Sequence, residues 1–371
     1  MGKILVTGGL GFIGSHTVDK LVEEGYEVIV LDNLEKQVHL GHKPNFANQK
    51  ANYVSGDVRY KKHWNKVLDG VTGIIHLAGA VGIGQSFWQA RKYLDVNAGG
   101  TATLFELLIT NKRLAKNIEK ITVASSKSIY GEGAYKCPEH GQVYPLPREI
   151  EQLKKGQWEI LCPYCGQETT PVPVNEDKSP QNLNPYSLSK YSTERLALSF
   201  SDVLGIPSVA LRYFNVYGPR QSLSNPYTGV VAIFMSRLKN NNQPYLFEDG
   251  KQLRDYIYVE DVAKINVLSL IHGKGAYNVG TGTPKSLIQV VETLNEGLSK
   301  SINPIISKEF RPGDNRHDYA DNRRLLNDFH FTNFVPFKSG MMKLVKESAN
   351  ANAIDYFEKQ ERERKQFLGK S

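Results

Sequence analysis

The sequence predicts an α/β protein: a doubly wound parallel sheet, a smaller C-terminal lobe and a small internal insert. Three observations point there. Short apolar, β-branched runs alternate with helix-spaced segments through the first half of the chain, the pattern of a parallel sheet covered by helices on both faces. The alternation turns irregular after about Tyr217, where loops rich in Asn, Pro and Gly take over. All three cysteines of the 371 residues fall in two near-repeats, "KCPEHGQ" and "LCPYCGQ", between a predicted strand and a predicted helix.

Each element has its own signal. "KILVTGG" is an apolar run ending in glycine, as a strand buried on both faces should be. "SHTVDKLVEEG" places Val18, Leu21 and Val22 at helical spacing and stops at Gly25. "YEVIVLDNL" is a second strand, a third short strand precedes "GDVR", and "GIIHLAG" is another apolar segment. A helical "NAGGTATLFELLIT", the strand "KITVASS", the long helix "YSLSKYSTERLALSFSDVLG" and the strand "PSVALRYFNVYG" follow. "LRDYIYVEDVAKINVLSLI" reads as a strand and helix returning to the first lobe, and "FEKQERERKQF" as a solvated, charged helix. The expected organisation is a first lobe over 1–216 with 253–275 returning to it, and an insert over 135–172. The second lobe takes 217–252 and 276–350, and a charged tail takes 351–371.

Composition narrows the class. Hydrophobic residues make up 40% and charged residues 23%, as in soluble globular proteins. No apolar run approaches the roughly 18 residues of a membrane span. The opening "MGKILVTGGLGFIGSH" faintly resembles a secretory leader but lacks a small-residue cleavage site, so a cytoplasmic location is expected. The net charge of +8 is spread along the chain without a Lys/Arg block. It argues for an anionic small substrate rather than nucleic acid, and no membrane partner is expected.

"TGGLGFIGSH" puts Gly8, Gly11 and Gly14 directly after a strand and at the opening of a helix. Glycine there permits a tight turn and close approach of backbone to a pyrophosphate, whose charge sits at the helix N-terminus. The second strand ends in Asp32, a carboxylate able to accept both adenosine ribose hydroxyls and to repel a 2′-phosphate. The set predicts a tightly bound NAD rather than NADP. Phe12, Ile13 and Asn33 would line the same cleft. Asp57 and Val58 would lie beside the adenine. Leu77, Ala78 and Gly79 of "HLAG", with Asn97, would lie beneath the cofactor. His76 reads as a packed histidine rather than a catalyst.

"YSLSK" sets Tyr186 and Lys190 four residues apart, on one helix face. A free phenol titrates near pH 10, so it needs a neighbouring cation to act as a base at neutral pH. Lys190 supplies one and can also bond the nicotinamide ribose. "VASSKSIYG" offers Ser126 at a strand end, placed to bridge the substrate oxygen and Tyr186.

These motifs, followed in order by "RYFNVYGP", "RDYIYVEDV", "YNVGTG" and "RPGD", resemble the extended short-chain dehydrogenases/reductases over about residues 3 to 330. Within them the chain resembles the nucleotide-sugar epimerase/dehydratase branch. The resemblance implies a Rossmann-type fold, a homodimer and a nucleotide-diphosphate sugar as substrate. It implies that Asn215, Arg254 and Arg311 hold the substrate diphosphate, with Asp314 near the nucleotide ribose and Tyr213 near the nicotinamide. Ser126 would also touch the sugar. Dehydratases of the branch follow the active-site hydroxyl residue with Asp-Glu; here Lys127 and Ser128 follow Ser126. That leaves oxidation and re-reduction at one carbon, 4-epimerisation, with a 4-keto-sugar reductase or an NAD-sensing scaffold as rivals. "SSKSIYGEGAYKCPEHG" is similar to 4-epimerases of dTDP-6-deoxy sugars such as dTDP-L-rhamnose, and UDP-hexoses or UDP-uronates are the alternatives. What Lys127 does is left open.

The insert lies between Ser126 and Tyr186 and carries Cys137, His140, Cys162 and Cys165, each pair with two residues between. Cys3His is a closed tetrahedral set, the pattern of structural Zn2+ with no open position for a substrate. A Cys162/Cys165 disulfide is the rival, disfavoured in a reducing compartment. The insert has few large apolar residues, so metal would supply much of its folding energy. It is expected to shape the sugar pocket or a subunit contact.

Overall fold

The computed structural model describes residues 2–39, 41–225, 227–351 and 353–368. Its strands, in chain order, begin with β1 (Lys3–Thr7), β2 (Glu27–Asp32), β3 (Asn52–Ser55), β4 (Gly73–His76) and β5 (Lys120–Ser126). The insert adds β6 (Ala134–Cys137), β7 (Gly141–Val143) and β8 (Thr170–Val172). Then come β9 (Ser208–Tyr213), β10 (Asn215–Tyr217), β11 (Tyr245–Leu246), β12 (Leu253–Tyr258) and β13 (Gly275–Val279). β14 (Pro284–Ser286), β15 (Ile305–Ile306) and β16 (His317–Asp318) complete the set.

Seven strands form the main sheet in the order β13-β9-β5-β4-β1-β2-β3, every pair parallel. The order reverses between β1 and β4, and the chain ends of those strands open a crevice where doubly wound sheets bind ligands. Alternation in β1 explains the layering. Leu5 packs into the core under Trp64, Leu104 and Phe105 on one face, while Ile4 and Val6 pack under Val18 and Leu21 on the other. Fully burying each such side chain contributes about 1.5–3 kcal/mol.

The second lobe is built on β10, β12 and β14, with β16 beside β12 and β11 paired to β15. Helices Val230–Lys239, Leu287–Leu298 and Phe337–Glu347 close its core around Met235, Val291, Leu294 and Leu344. The insert is a three-stranded sheet, β7-β6-β8, with one short helix, Ile150–Lys154. Among the described residues no helix is long and apolar enough to cross a membrane.

Four expectations change. "PSVALRYFNVYG" is two strands in two sheets, broken at Phe214, whose amide bonds Val279 instead. The segment 253–258 does not return to the first lobe. Buried Asp255 accepts from Thr281, Gly282 and Ala320, which pins β12 into the smaller sheet. The returning unit is instead helix Val259–Leu268, bonded through Asn266 to Thr17, followed by β13 as the seventh strand. "NAGGTATLFELLIT" opens as a π-helix, Leu94–Gly99, before the α-helix Gly100–Thr110. The charged C-terminal helix, Phe357–Leu368, is packed rather than solvated. Phe357, Glu361 and Arg364 are buried, Glu361 pairs with Arg311, and the Phe367 ring stacks on Trp88 at 5.2 Å.

Candidate active site

The glycine loop sits at the sheet's switch point, where its backbone has no room for side chains. Gly8 has φ +69°, and a Cβ there would stand 2.8 Å from the Ala78 amide nitrogen. A Cβ on Gly14 would overlap the Gly8 carbonyl oxygen. Helix Phe12–Glu23 follows at once, so its free amides face the crevice. Asp32, at the end of β2, is buried and takes the Leu10 amide at 3.0 Å and the Leu34 amide at 2.9 Å. Those bonds clamp the loop and leave each carboxylate oxygen a lone pair for a ribose hydroxyl.

The neighbouring positions are less uniform. Phe12 packs edge-on to His16, and Ile13 faces the core that contains Tyr213. Asn33 is exposed, 3.5 Å from Asp57. Burial raises the Asp57 pKa, but the Arg59 fork, at 2.6–3.2 Å, outweighs it and holds the carboxyl below its ordinary range. Val58 is buried in the core and its carbonyl takes the Trp64 indole, so it offers a ligand only its N–H. Leu77 also packs into the core, and Ala78 donates its amide to the Thr7 hydroxyl at 3.1 Å. The π-turn points Asn97 inward, where it bonds both the amide and the carbonyl of Ala80 and the Ser189 hydroxyl. A Cβ on Gly79 would be 2.9 Å from Asn97 Oδ1 and 3.4 Å from Lys190 Nζ. The strand-end loop, the π-turn and the Tyr186 helix thus meet at one point.

Helix Pro185–Leu204 begins with a capping box, Asn184 and Ser187, which fixes its first turn and with it the Tyr186 ring. Tyr186 is buried edge-on against Tyr93. Burial pushes its phenol up, and the Ser126 hydroxyl opposes that. Lys190 is buried and donates to the Ala124 carbonyl at 2.7 Å; burial lowers its pKa to about 8. Ser126 ends β5, and its hydroxyl accepts from the Ser128 amide and hydroxyl at the start of a short 3-10 turn, Lys127–Tyr130. His76 bonds Thr7 and Thr101 and is held neutral, with its pKa lowered to about 3 by burial and by Lys190.

Sequence reasoning passed over a buried network behind this centre. Glu194 accepts from Ser125 at 2.7 Å and from the Arg212 fork at 2.6 and 3.0 Å. Arg212 also reaches the Tyr130 hydroxyl at 2.7 Å. The available signal was spacing: Glu194 lies four residues after Lys190, on the face that meets β5.

On the second lobe, Asn215 donates to the Asp255 carbonyl at 2.9 Å. The Arg254 fork is largely spent on the carbonyls of Leu253, Asn315 and Arg316. Arg311 lies over the Phe247 ring and pairs with Glu361 at 2.5 Å. Asp314 is half-buried, its carbonyl taken by Arg148 of the insert at 3.0 Å. The Tyr213 hydroxyl is committed to Asn266 at 2.6 Å, so toward a nicotinamide it has only its ring and backbone. Lys127, the residue after Ser126, donates to buried Asp318 at 2.6 Å.

The insert closes around its four chemically matched side chains. The ligand atoms of Cys137, His140, Cys162 and Cys165 lie within 4.8 Å of one another. Cys137 Sγ is 3.6 Å from both His140 Nδ1 and Cys165 Sγ, and Cys162 Sγ is 3.7 Å from His140 Nδ1. Tetrahedral zinc with its usual bond lengths has edges of about 3.5 Å (S to N) and about 3.8 Å (S to S). All three thiols are free, so the structure contains no Cys162–Cys165 disulfide. The insert docks on the second lobe through ions. Arg148 makes a bidentate pair with Glu248, and Glu159 accepts from Arg316 and His317.

Residues 4–151 and 162–280 match the family described as NAD dependent epimerase/dehydratase. The chain is 33% identical over 326 residues to a dTDP-L-rhamnose 4-epimerase of Burkholderia thailandensis, covering 86% of this chain and 87% of the relative. Its fold is similar to that of a UDP-glucose 4-epimerase from Thermotoga maritima solved with UDP-glucose, at a TM-score of 0.76 and 28% identity, over 94% of this chain and 99% of the other. A Thermus thermophilus UDP-glucose 4-epimerase solved with NAD is similar at a TM-score of 0.75 and 28% identity, over 94% and 100%.

Proposed function

The chain belongs to the NAD dependent epimerase/dehydratase family, and within it we propose that it is a nucleotide-diphosphate-sugar 4-epimerase acting on a dTDP-6-deoxy hexose such as dTDP-L-rhamnose. The observation that carries the reaction type is the pair of residues after Ser126. Lys127 is bonded to Asp318 and Ser128 to Ser126 itself, so no carboxylate follows the active-site hydroxyl to move a second proton. Tyr186 is then the single proton carrier, which suits oxidation and re-reduction at one carbon.

The glycine loop fits NAD: side chains would fill the space at Gly8 and Gly14, and Asp32 has lone pairs for the ribose diol. When bound, NAD would take the C4 hydride and return it, and its charge would favour the Tyr186 phenolate. Asp32 and the loop amides hold and orient it, and Lys190, lying against Gly79, lowers the phenol's cost of ionising. Ser126 orients the sugar 4-OH toward Tyr186, which removes its proton and later returns one. Between those steps the 4-keto sugar, held by its diphosphate, presents its other face. Asn215 and Arg311 are the proposed diphosphate contacts, with Asp314 at the nucleotide ribose. Arg254 contributes the Nη2 N–H that its bonds to backbone carbonyls leave free.

A UDP-hexose is the second reading, favoured by the similarity in fold to the T. maritima enzyme. We also assign a structural Zn2+ to Cys137, His140, Cys162 and Cys165, where it would staple the insert and take no part in the chemistry. The proposed working form is a homodimer, which light scattering checks. Purified protein without added cofactor, given dTDP-L-rhamnose, UDP-glucose and UDP-glucuronate in turn, should invert C4 of the first, read by NMR. Inversion of a UDP sugar alone selects the second reading, and no inversion of any overturns both.

A further inference from the structure

Lys127 is half-buried and Asp318 buried; both are charged and unused by the proposed chemistry. The Lys127 ammonium has three N–H groups and one protein acceptor, Asp318 Oδ2. That oxygen also receives Asn315 Nδ2 and lies 3.4 Å from Arg254 Nε. The other carboxylate oxygen, Asp318 Oδ1, is buried with no hydrogen-bond partner. An ammonium with spare donors therefore stands beside a carboxylate with a spare acceptor, and that acceptor is buried where an unmet hydrogen bond is costly.

The pair's position gives this meaning. Lys127 is the first residue after Ser126, and Asp318 lies on β16, in register with Arg254 on β12. The pair thus links the residue next to Ser126 to the strand beside Arg254, one of the residues proposed for the diphosphate. A phosphate would meet the Asp318 charge and a cation the Lys127 charge. A hydroxyl, which both donates and accepts, completes the two at once.

We propose that Lys127 and Asp318 together clasp one hydroxyl of the hexose beside the reacting carbon, and so set sugar specificity. This rests on reading the site as one for nucleotide sugars. A site built to bond a hydroxyl rejects the analogue that lacks it far more strongly than an apolar pocket rejects a misfit.

The test is calorimetric binding to the NAD-loaded protein, comparing dTDP with dTDP-L-rhamnose and UDP with UDP-glucose, plus the 2-deoxy and 3-deoxy forms of the tighter sugar. The wild type should bind one nucleotide sugar at least tenfold more tightly than its bare nucleotide. Lys127→Met should erase that gain, leave bare-nucleotide affinity within about twofold, and no longer distinguish the parent sugar from one deoxy form. Lys127→Arg should restore part of the gain. The Lys127→Met/Asp318→Asn double variant removes both charges and should behave as Lys127→Met does, with retained NAD reporting its fold. An unchanged sugar gain in the variants, an equal loss for bare nucleotide, or no gain in the wild type overturns the clasp. Binding gain without turnover would sink the epimerase reading alone; turnover with an unaltered gain would sink the clasp alone.

Discussion

Tyr186, Lys190 and Ser126 are polar groups that the fold buries at some cost in order to aim them at one point. Tyr186→Phe removes the proposed proton carrier and little else. It should cut kcat by roughly 10²- to 10⁴-fold while bound NAD stays unchanged, as absorbance of the purified protein would report. Lys190 gives a sharper case because burial alone lowers its pKa, from 10.5 to about 8. Below pH 8 it is charged in both folded and unfolded chains, and the folded state bears the full penalty. Between pH 8 and 10.5 the unfolded chain binds more protons, so stability rises with pH until the penalty is gone. Lys190→Met should therefore be inactive. Stripped of NAD, it should be more stable than wild type at pH 7 by on the order of 3 kcal/mol, with the gap shrinking above pH 8. Urea unfolding across that range checks it, and a wild type with pH-independent stability relative to the variant would contradict it.

At the scale of elements, the insert and the C-terminal helix each carry a prediction. The insert core is small, made by Tyr135, Val143, Ile160 and the cysteines themselves. Cys162→Ser should release bound zinc and expose the insert to protease, with elemental analysis as the first readout. Unchanged metal content and unchanged protease resistance would refute the staple. On the C-terminal helix, Glu361 occupies Arg311, the arginine proposed to hold the substrate diphosphate. Glu361→Gln should strengthen binding of bare dTDP or UDP severalfold, measured by calorimetry.

These elements differ in how far the sequence revealed them. β1, the glycine loop and the Tyr186 helix were legible because period, turn residues and caps are local. The split at Phe214 and the placement of β12 were not, since each depends on a partner such as Asp255 or Val279 distant in the chain. The C-terminal helix misled for the same reason: it looks solvated until Arg311 is placed against Glu361 and Trp88 against Phe367. The catalytic candidates were legible by spacing. Arg254 was legible as an arginine, but that its fork is spent on carbonyls was not.

At the scale of the whole molecule, the second lobe and the insert meet around an ionic hub. Arg316, fully buried, is held by Glu248, Asp249 and Glu159, and Arg148 shares Glu248. Burial raises the Glu159 pKa, but His317 and Arg316 outweigh it and bring it from 4.5 to about 2. Its contribution to docking is thus fully present above pH 4.5 and lost as the pH falls toward 2. Glu159→Gln should make protease sensitivity of the insert less dependent on pH in that window. The hub ties the insert to the second lobe, and Glu132, two residues past the turn Lys127–Tyr130, accepts the Arg316 amide.

In the proposed cycle one carbon is oxidised and re-reduced by a cofactor that never leaves. The most direct measurement is the reaction in deuterium oxide with no added cofactor, followed by proton NMR of the nucleotide sugar. The product should be inverted at C4 and keep its protium there, with no deuterium on any ring or methyl carbon. Deuterium at C5 or C6, or a requirement for added NADH, would contradict it.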